Sequence, residues 1–420
     1  MNIRHFVLLG LLGATSISQP AIAQPVGEVL ARHSAGGLDI HHINTGEGSA
    51  AFFVFPDGTT MLIDCGHLLD APRPPKYKSP PLPDDSRPPG EWVSRYIQKY
   101  HPKGEEGSLD YVVFSHFHGD HIGGLPELAK QVKIRHVLDR GWPDYQKPTP
   151  FTGEEAERYH AALKAQTAEH GTQVHRFKAG VDDQIVLLNE PSLYPEFKIQ
   201  NLAANGEIWT GSGTEVRQRS AAHEAPNENA CSIAMRLTLG RFDYFSGGDL
   251  PGIPGGEISN NMPLIKARAK QPEWRDMESP LAWVTGPVDV LLLNHHGGTD
   301  TTNAFFLSVL QPRVSIAQTW ASRQMPPQVL ERLRSEIIYP GPRDIFTTNG
   351  MWDGRKEHLI QEFGEETALP HIQNLQNITA SQGHIVIRVA PGGDRYAVYV
   401  LDDSEESFRI RAVHDGYESR

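Results

Sequence analysis

The chain has 420 residues, 39% of them hydrophobic and 21% charged, a balance that fits a globular protein with a sizeable core. Its formal net charge of -12 argues against non-specific nucleic-acid binding, which needs Lys and Arg opposite phosphates. Two cysteines, Cys65 and Cys231, are too few for a zinc site built from four thiolates.

The first residues read "MNIRHFVLLGLLGATSISQPAIAQPVGE". Arg4 supplies a positive start, and Phe6 to Ala14 is an apolar run too short to span a bilayer. Ala21-Ile22-Ala23 is a small-x-small site, so residues 1–23 are expected to be a secretory signal peptide cut after Ala23. The mature protein is then expected to be exported, either periplasmic or secreted, and no later stretch reads as a membrane span.

Strands follow in pairs. "LDIHHIN" (38–44) precedes "SAAFFVFPDGTTMLIDCG" (49–66), in which Pro56-Asp57-Gly58 predicts a hairpin turn. Residues 71–90, "APRPPKYKSPPLPDDSRPPG", hold too many prolines for helix or central strand and are read as a surface loop beside the site, with a part in substrate choice. Trp92, Tyr96, Ile97 and Tyr100 give "EWVSRYIQKYH" (91–101) helical spacing. A buried strand, "LDYVVFS" (109–115), runs into "HFHGDHIGG". Beyond it come a strand "IRHVLDRG", a helix "EEAERYHAALKAQTAEHG", and two strands, "VHRFKAG" and "DDQIVLL". Residues 230–250 read as a hairpin turning at Gly240-Arg241, and residues 251–286 as irregular. "VDVLLLNHHGG" (288–298) is a strand ending in two histidines. A helix "NAFFLSVLQP", a strand "RVSIAQTW", a helix "PQVLERLRSEI" and a hairpin over 384–401 complete the elements. Alternating strands and helices without a linker indicate one α/β domain over residues 36–402, with 403–420 as a C-terminal tail. Both cysteines flank strands, and pairing or burial as free thiols stay open.

The loop after the 109–115 strand carries the chemistry. Neutral His and ionised Asp are good ligands for zinc and similar ions. His116 and His118 are two apart, so an extended segment points both the same way. Asp120 and His121 follow a glycine at which the chain can turn. One loop can therefore offer two ligand pairs to two adjacent metals. Asp249 and the pair His295 and His296 stand at the ends of two other strands.

These pieces resemble a known family. HxHxDH followed by Gly-Gly is similar to the metallo-β-lactamase fold superfamily. The order of "DIHHINTGEGSAAFFVFPDGTTMLIDCG", "VVFSHFHGDHIGG", "FDYFSGGDL" and "VLLLNHHGG" resembles the metallo-hydrolase domain of ComEC-type competence proteins and related secreted phosphorylcholine esterases. The resemblance implies a four-layer αββα sandwich with two divalent metal ions, expected to be zinc, at one edge. It implies His116 and His118 on the first metal, Asp120 and His121 on the second, Asp249 between them, and His296 completing the second site. Asp120 would also orient the attacking hydroxide, and His295 would contact substrate or transition state. Many members carry a further histidine ligand before the strand leading to the bridging Asp. Here His223 is the nearest candidate, while Asn229 stands closer to the strand, as in the competence branch. The expected activity is hydrolysis of a small phosphoester, with lactone or β-lactam opening, or a non-catalytic metal-binding module, as the alternatives.

Overall fold

The computed structural model describes residues 23–67, 79–219, 226–252 and 275–420. The signal-peptide reading and His223 lie outside them. Among the described residues, seventeen strands form two sheets. The first half supplies β1 (Leu38–His42), β2 (Ala51–Val54), β3 (Thr60–Ile63), β4 (Leu109–Val113), β5 (Ile134–Asp139) and β6 (Gln173–Arg176). Next come β7 (Phe197–Ala204), β8 (Glu207–Trp209), β9 (Val216–Gln218), β10 (Ala234–Leu239), β11 (Phe242–Ser246), β12 (Val290–Leu292), β13 (Val314–Ala317) and β14 (Asp344–Thr347). The chain closes with β15 (His384–Val389), β16 (Arg395–Leu401) and β17 (Ile410–Glu418). One sheet has the order β17-β16-β15-β1-β2-β3-β4-β5-β6 and the other β14-β13-β12-β11-β10-β7-β8-β9.

The period of two along each strand sorts side chains into layers. In β2, Ala51 and Phe53 face the other sheet while Phe52 and Val54 face the helices Pro89–Tyr100 and Glu154–His170. In β12, Val290 faces between the sheets and Leu291 faces outward. The outward side of the second sheet packs on helices Glu278–Thr285, Ala304–Leu310 and Pro327–Arg334. Three apolar layers thus separate four layers of structure, an αββα sandwich of the metallo-β-lactamase type. Among the described residues no helix is long and apolar enough to cross a membrane.

Several sequence expectations need correction. Residues 403–420 are no tail, because β17 pairs with β16 and the Val29–Arg409 bridge ties the start of the described chain to it. Pro89 and Gly90 open a helix rather than close the Pro-rich loop: Pro lacks only an N–H that a first helical turn leaves unpaired anyway. The segment 251–286 contains the helix Glu278–Thr285. "DDQIVLL" forms no strand. Ile185 and Leu187 do fill the core between the sheets, but side chains replace the ladder: the Val186 N–H donates to Tyr111 (3.3 Å) and the Leu188 N–H to Thr59 (2.8 Å). Alternation alone cannot separate these two cases. Cys65 and Cys231 are both buried and free.

The paired histidines of β1 show the same alternation and give a pH prediction. His41 turns towards Tyr96 on the first helix (3.0 Å). His42 points between the sheets, where its Nδ1–H donates to the Ile385 carbonyl (3.1 Å), so Nε2 accepts from the Tyr244 hydroxyl (3.0 Å). Burial lowers the pKa of His42 to about 4, against a smaller upward pull from the Ile385 carbonyl. A depressed folded-state pKa means that stability present above pH 6.5 is lost as pH falls towards 4. At about 1.4 kcal/mol per pH unit, His42 alone should contribute about 3 kcal/mol to that loss. Urea unfolding midpoints are expected to fall steadily from pH 6.5 to 4, and His42→Gln should flatten the slope. An unchanged slope in the variant contradicts the assignment.

Candidate metal centre

Strands β3 to β6 run parallel, as do β11 to β14. In open α/β sheets, ligands bind at the carboxyl ends of such strands. Here Asp64 follows β3, the histidine loop follows β4, Asp249 follows β11, His295 and His296 follow β12, and Gln318 and Trp320 follow β13. Both sheets deliver their polar ends to one edge.

Two clusters of donor atoms meet there. Asp120, His121, Asp249 and His296 each offer an atom within 4.8 Å of the others, and so do His116, His118 and Asp249. Asp249 belongs to both. Every member except the exposed His118 is buried. The His121 Nε2 lies 3.3 Å from Asp249 and 3.7 Å from Asp120. The His296 Nε2 lies 3.1 Å from Asp120 and 3.7 Å from Asp249. The His116 Nε2 is 3.0 Å from His118 and 3.6 Å from Asp249. All six residues singled out as ligands in the sequence are brought together. His295 stands aside: its Nδ1 bonds to Asp300 (2.8 Å) and its Nε2 is 3.6 Å from Asp249, with a third of its side chain exposed.

Neighbouring groups fix which ring nitrogen faces the centre. The His121 Nδ1–H donates to Asp64 (2.8 Å), which turns Nε2 towards the centre. Asp64 also accepts from the Ser115 N–H (2.7 Å) and hydroxyl (2.7 Å), and that hydroxyl oxygen lies 3.1 Å from the His116 Nδ1. One carboxylate thus orients two candidate ligands. His296 donates from Nδ1 to the Gln318 carbonyl (2.8 Å), and the Trp320 indole N–H approaches its Nε2 (3.3 Å). Asp64, Ser115, Gln318 and Trp320 were not singled out as site residues from sequence. Asp64 had a usable signal, an Asp directly after an apolar strand. The others sit in segments with no such mark.

The electrostatics of the cluster follow from this crowding. Burial disfavours the charged form of His121, but Asp249, Asp120 and Asp64 together raise its pKa well above the usual histidine range. Burial would raise Asp249, yet His121, His296, His295 and His116 hold it well below the usual carboxylate range. Burial pulls His295 down, and the Asp249 and Asp300 carboxylates outweigh it, bringing it to about 9. The buried His121 Nε2 has no hydrogen-bond partner, an orphan that a divalent cation would satisfy. Imidazole and carboxylate donors around a shared Asp249 fit two such ions.

Of the Pro-rich segment 71–90, residues 71–78 lie outside the described residues. Its second half docks on the site: Leu82 N–H donates to the Thr45 carbonyl (3.2 Å) and Ser79 N–H to the Trp320 carbonyl (2.9 Å). Asn229 opens a short helical turn before β10, with its side-chain oxygen buried and without a hydrogen-bond partner.

Residues 44–192 match the family model described as Metallo-beta-lactamase superfamily. ComE operon protein 3 of Bacillus subtilis (strain 168) is 25% identical over 284 residues, 67% of this chain. The aligned part is 28% of that relative's length, so the chain spans well under half of it. Among solved structures, CmlA, a diiron beta-hydroxylase from Streptomyces venezuelae, aligns over 85% of this chain and 54% of its own at 14% identity and a TM-score of 0.37. Unliganded yeast PDE1 aligns over 83% of this chain and 99% of its own at 10% identity, also with a TM-score of 0.37. At such scores these likenesses carry no argument about function.

Proposed function

We propose, from the premise that residues 44–192 place this chain in the metallo-beta-lactamase superfamily, that it is an exported hydrolase of small phosphoesters with a centre for two zinc ions. The observation that carries this reading is the pair of donor clusters sharing one buried carboxylate, Asp249. His116 and His118 would hold one ion, Asp120, His121 and His296 the other, and Asp249 both. When bound, such ions would supply a water of pKa about 7 and positive charge to offset that of a phosphoryl group.

The chain's own groups supply the rest. Asp64 holds His121 and, through Ser115, His116 in the tautomer that turns Nε2 inward. Asp120 carries a second carboxylate oxygen that can accept a proton from the attacking water. His295, partly exposed beside Asp249 and bonded to Asp300, is placed to donate a hydrogen bond to a phosphoryl oxygen or leaving group. An acidic surface favours small substrates over polyanions.

The test is a substrate panel on protein reconstituted with Zn2+. Elemental analysis is expected to find about two ions per chain, as a two-metal centre requires. Phosphodiesters or phosphomonoesters should be turned over in preference to lactones and β-lactams. Folded protein with metal content near zero, or turnover of lactones or β-lactams alone, overturns the reading.

A further inference from the structure

Two carboxylates outside the donor clusters, the buried Glu278 and the partly buried Glu228, each contact one half of the centre. We infer that Glu278 and Glu228 are positioning residues, Glu278 for the His296 side and Glu228 for the His116 and His118 side. The inference rests on the dinuclear reading of the site.

Glu278 lies on the helix Glu278–Thr285 and has no exposed surface. One oxygen accepts from the Asn294 side chain (2.8 Å) and the Thr302 N–H (2.7 Å), the other from the Asn303 N–H (2.8 Å). These donors bracket His295 and His296, which adopt left-handed backbone angles, φ 49° and 55°. Such a conformation is strained for a non-glycine residue, so the turn persists only where its surroundings over-determine it. Burial lifts the Glu278 pKa to about 7 even against those three hydrogen bonds, a cost that apolar packing would not incur. Glu278 also touches the segment after Asp249. A Cβ on Gly252 would lie 1.8 Å from its carboxylate, and the Gly252 N–H donates to the Asp300 carbonyl (2.7 Å). One carboxylate therefore sets the His296 turn against the strand end that carries the shared Asp249.

Glu228 does the same across the centre. It accepts from the backbone N–H of Phe117 (2.8 Å), the residue between His116 and His118. It is paired with Arg140, which is fully buried and whose guanidinium lies 4.4 Å from the Phe117 ring. Residue 117 is thus gripped from its backbone and from its side chain, which leaves its two histidine neighbours turned the other way.

Glutamine in either place keeps the size but offers one acceptor oxygen and turns an N–H2 towards donors. Loss of such outer hydrogen bonds typically weakens metal binding roughly 10- to 100-fold. The test is Zn2+ titration of the full chain against a chromophoric chelator, in the wild type and in a His118→Ala background that disables the first cluster. In that background Glu278→Gln is expected to weaken the remaining ion roughly 10- to 100-fold, while Glu228→Gln leaves it unchanged. In the wild-type background Glu228→Gln should weaken one ion of two. A merely structural role would lower the melting temperature and leave Zn2+ affinities alone. That result, or equal losses from both variants in the His118→Ala background, overturns the inference. If Glu278→Gln does not fold, Asn294→Ala removes one of the three donors and carries the same expectation, and an unchanged affinity there overturns it. A wild-type chain that binds no Zn2+ removes the dinuclear centre and the positioning roles together. Two ions in the wild type with unaffected variants removes the positioning roles alone.

Discussion

Asp120→Ala is expected to abolish hydrolysis while the sandwich stays folded. The Asp120 carboxylate is 3.1 Å from the His296 Nε2 and 3.7 Å from the His121 Nε2, so its removal strips a donor from one cluster and the proton acceptor proposed for the attacking water. A loss of several kcal/mol in transition-state stabilisation follows, roughly a thousandfold or more in kcat/KM. The backbone at this position is held independently, because its carbonyl accepts from the Ser49 N–H (3.0 Å). Circular dichroism should therefore remain that of the parent. Parental turnover in the variant, on any substrate the parent hydrolyses, removes Asp120 from the mechanism.

Gly48→Ala should do the opposite, damaging the site through the fold. Gly48 has φ 79°, and a Cβ there would lie 2.0 Å from the Asp120 carbonyl oxygen and 2.9 Å from the Gly66 Cα. Both are backbone atoms and cannot swing away. Strain from the left-handed angle and from overpacking each cost roughly 1–3 kcal/mol, so a fall in unfolding free energy of several kcal/mol is expected. The helical turn bearing Asp120 and His121 must shift, and Zn2+ binding should weaken with it. Gly213→Ala is the control. Its φ is 53°, but nothing lies within 4 Å of the added Cβ, so only the backbone term applies. Equal unfolding midpoints for the two variants would exclude the close approach as the cause.

How much of this was legible from the chain alone depends on what kind of pattern each residue belongs to. The sandwich was legible through a family resemblance, which HxHxDH, "FSGGDL" and "NHHGG" carry in that order. The six donors that the structure gathers were named for that reason. The grips on them were not. Glu278 lies in a segment whose Pro/Gly content hid a helix, and its three partners are up to 25 residues away. Arg140 and Glu228 are separated by 88 positions and form no local pattern at all. Strand β14 and the two helices after it, Asp353–Phe363 and Glu365–Gln376, were missed; the second carries an internal Pro370, against the usual rule. Edge strand β17 was missed because its exposed positions dilute the apolar alternation. Local periodicity records what one element buries, whereas these features depend on pairings made across the whole fold.

The shared position of Asp249 has a consequence for how the protein comes into being. The histidine loop is complete by residue 121, but the carboxylate common to both clusters arrives 128 residues later and the closing imidazole 47 after that. A growing chain thus displays a set of naked imidazoles long before their counterparts exist. Because the two groups hang from different sheets, they meet only when the sheets have closed face to face. Ion capture with full affinity would then act as an inspection stamp, granted to chains whose two sheets have docked in register and withheld from stalled or misfolded ones.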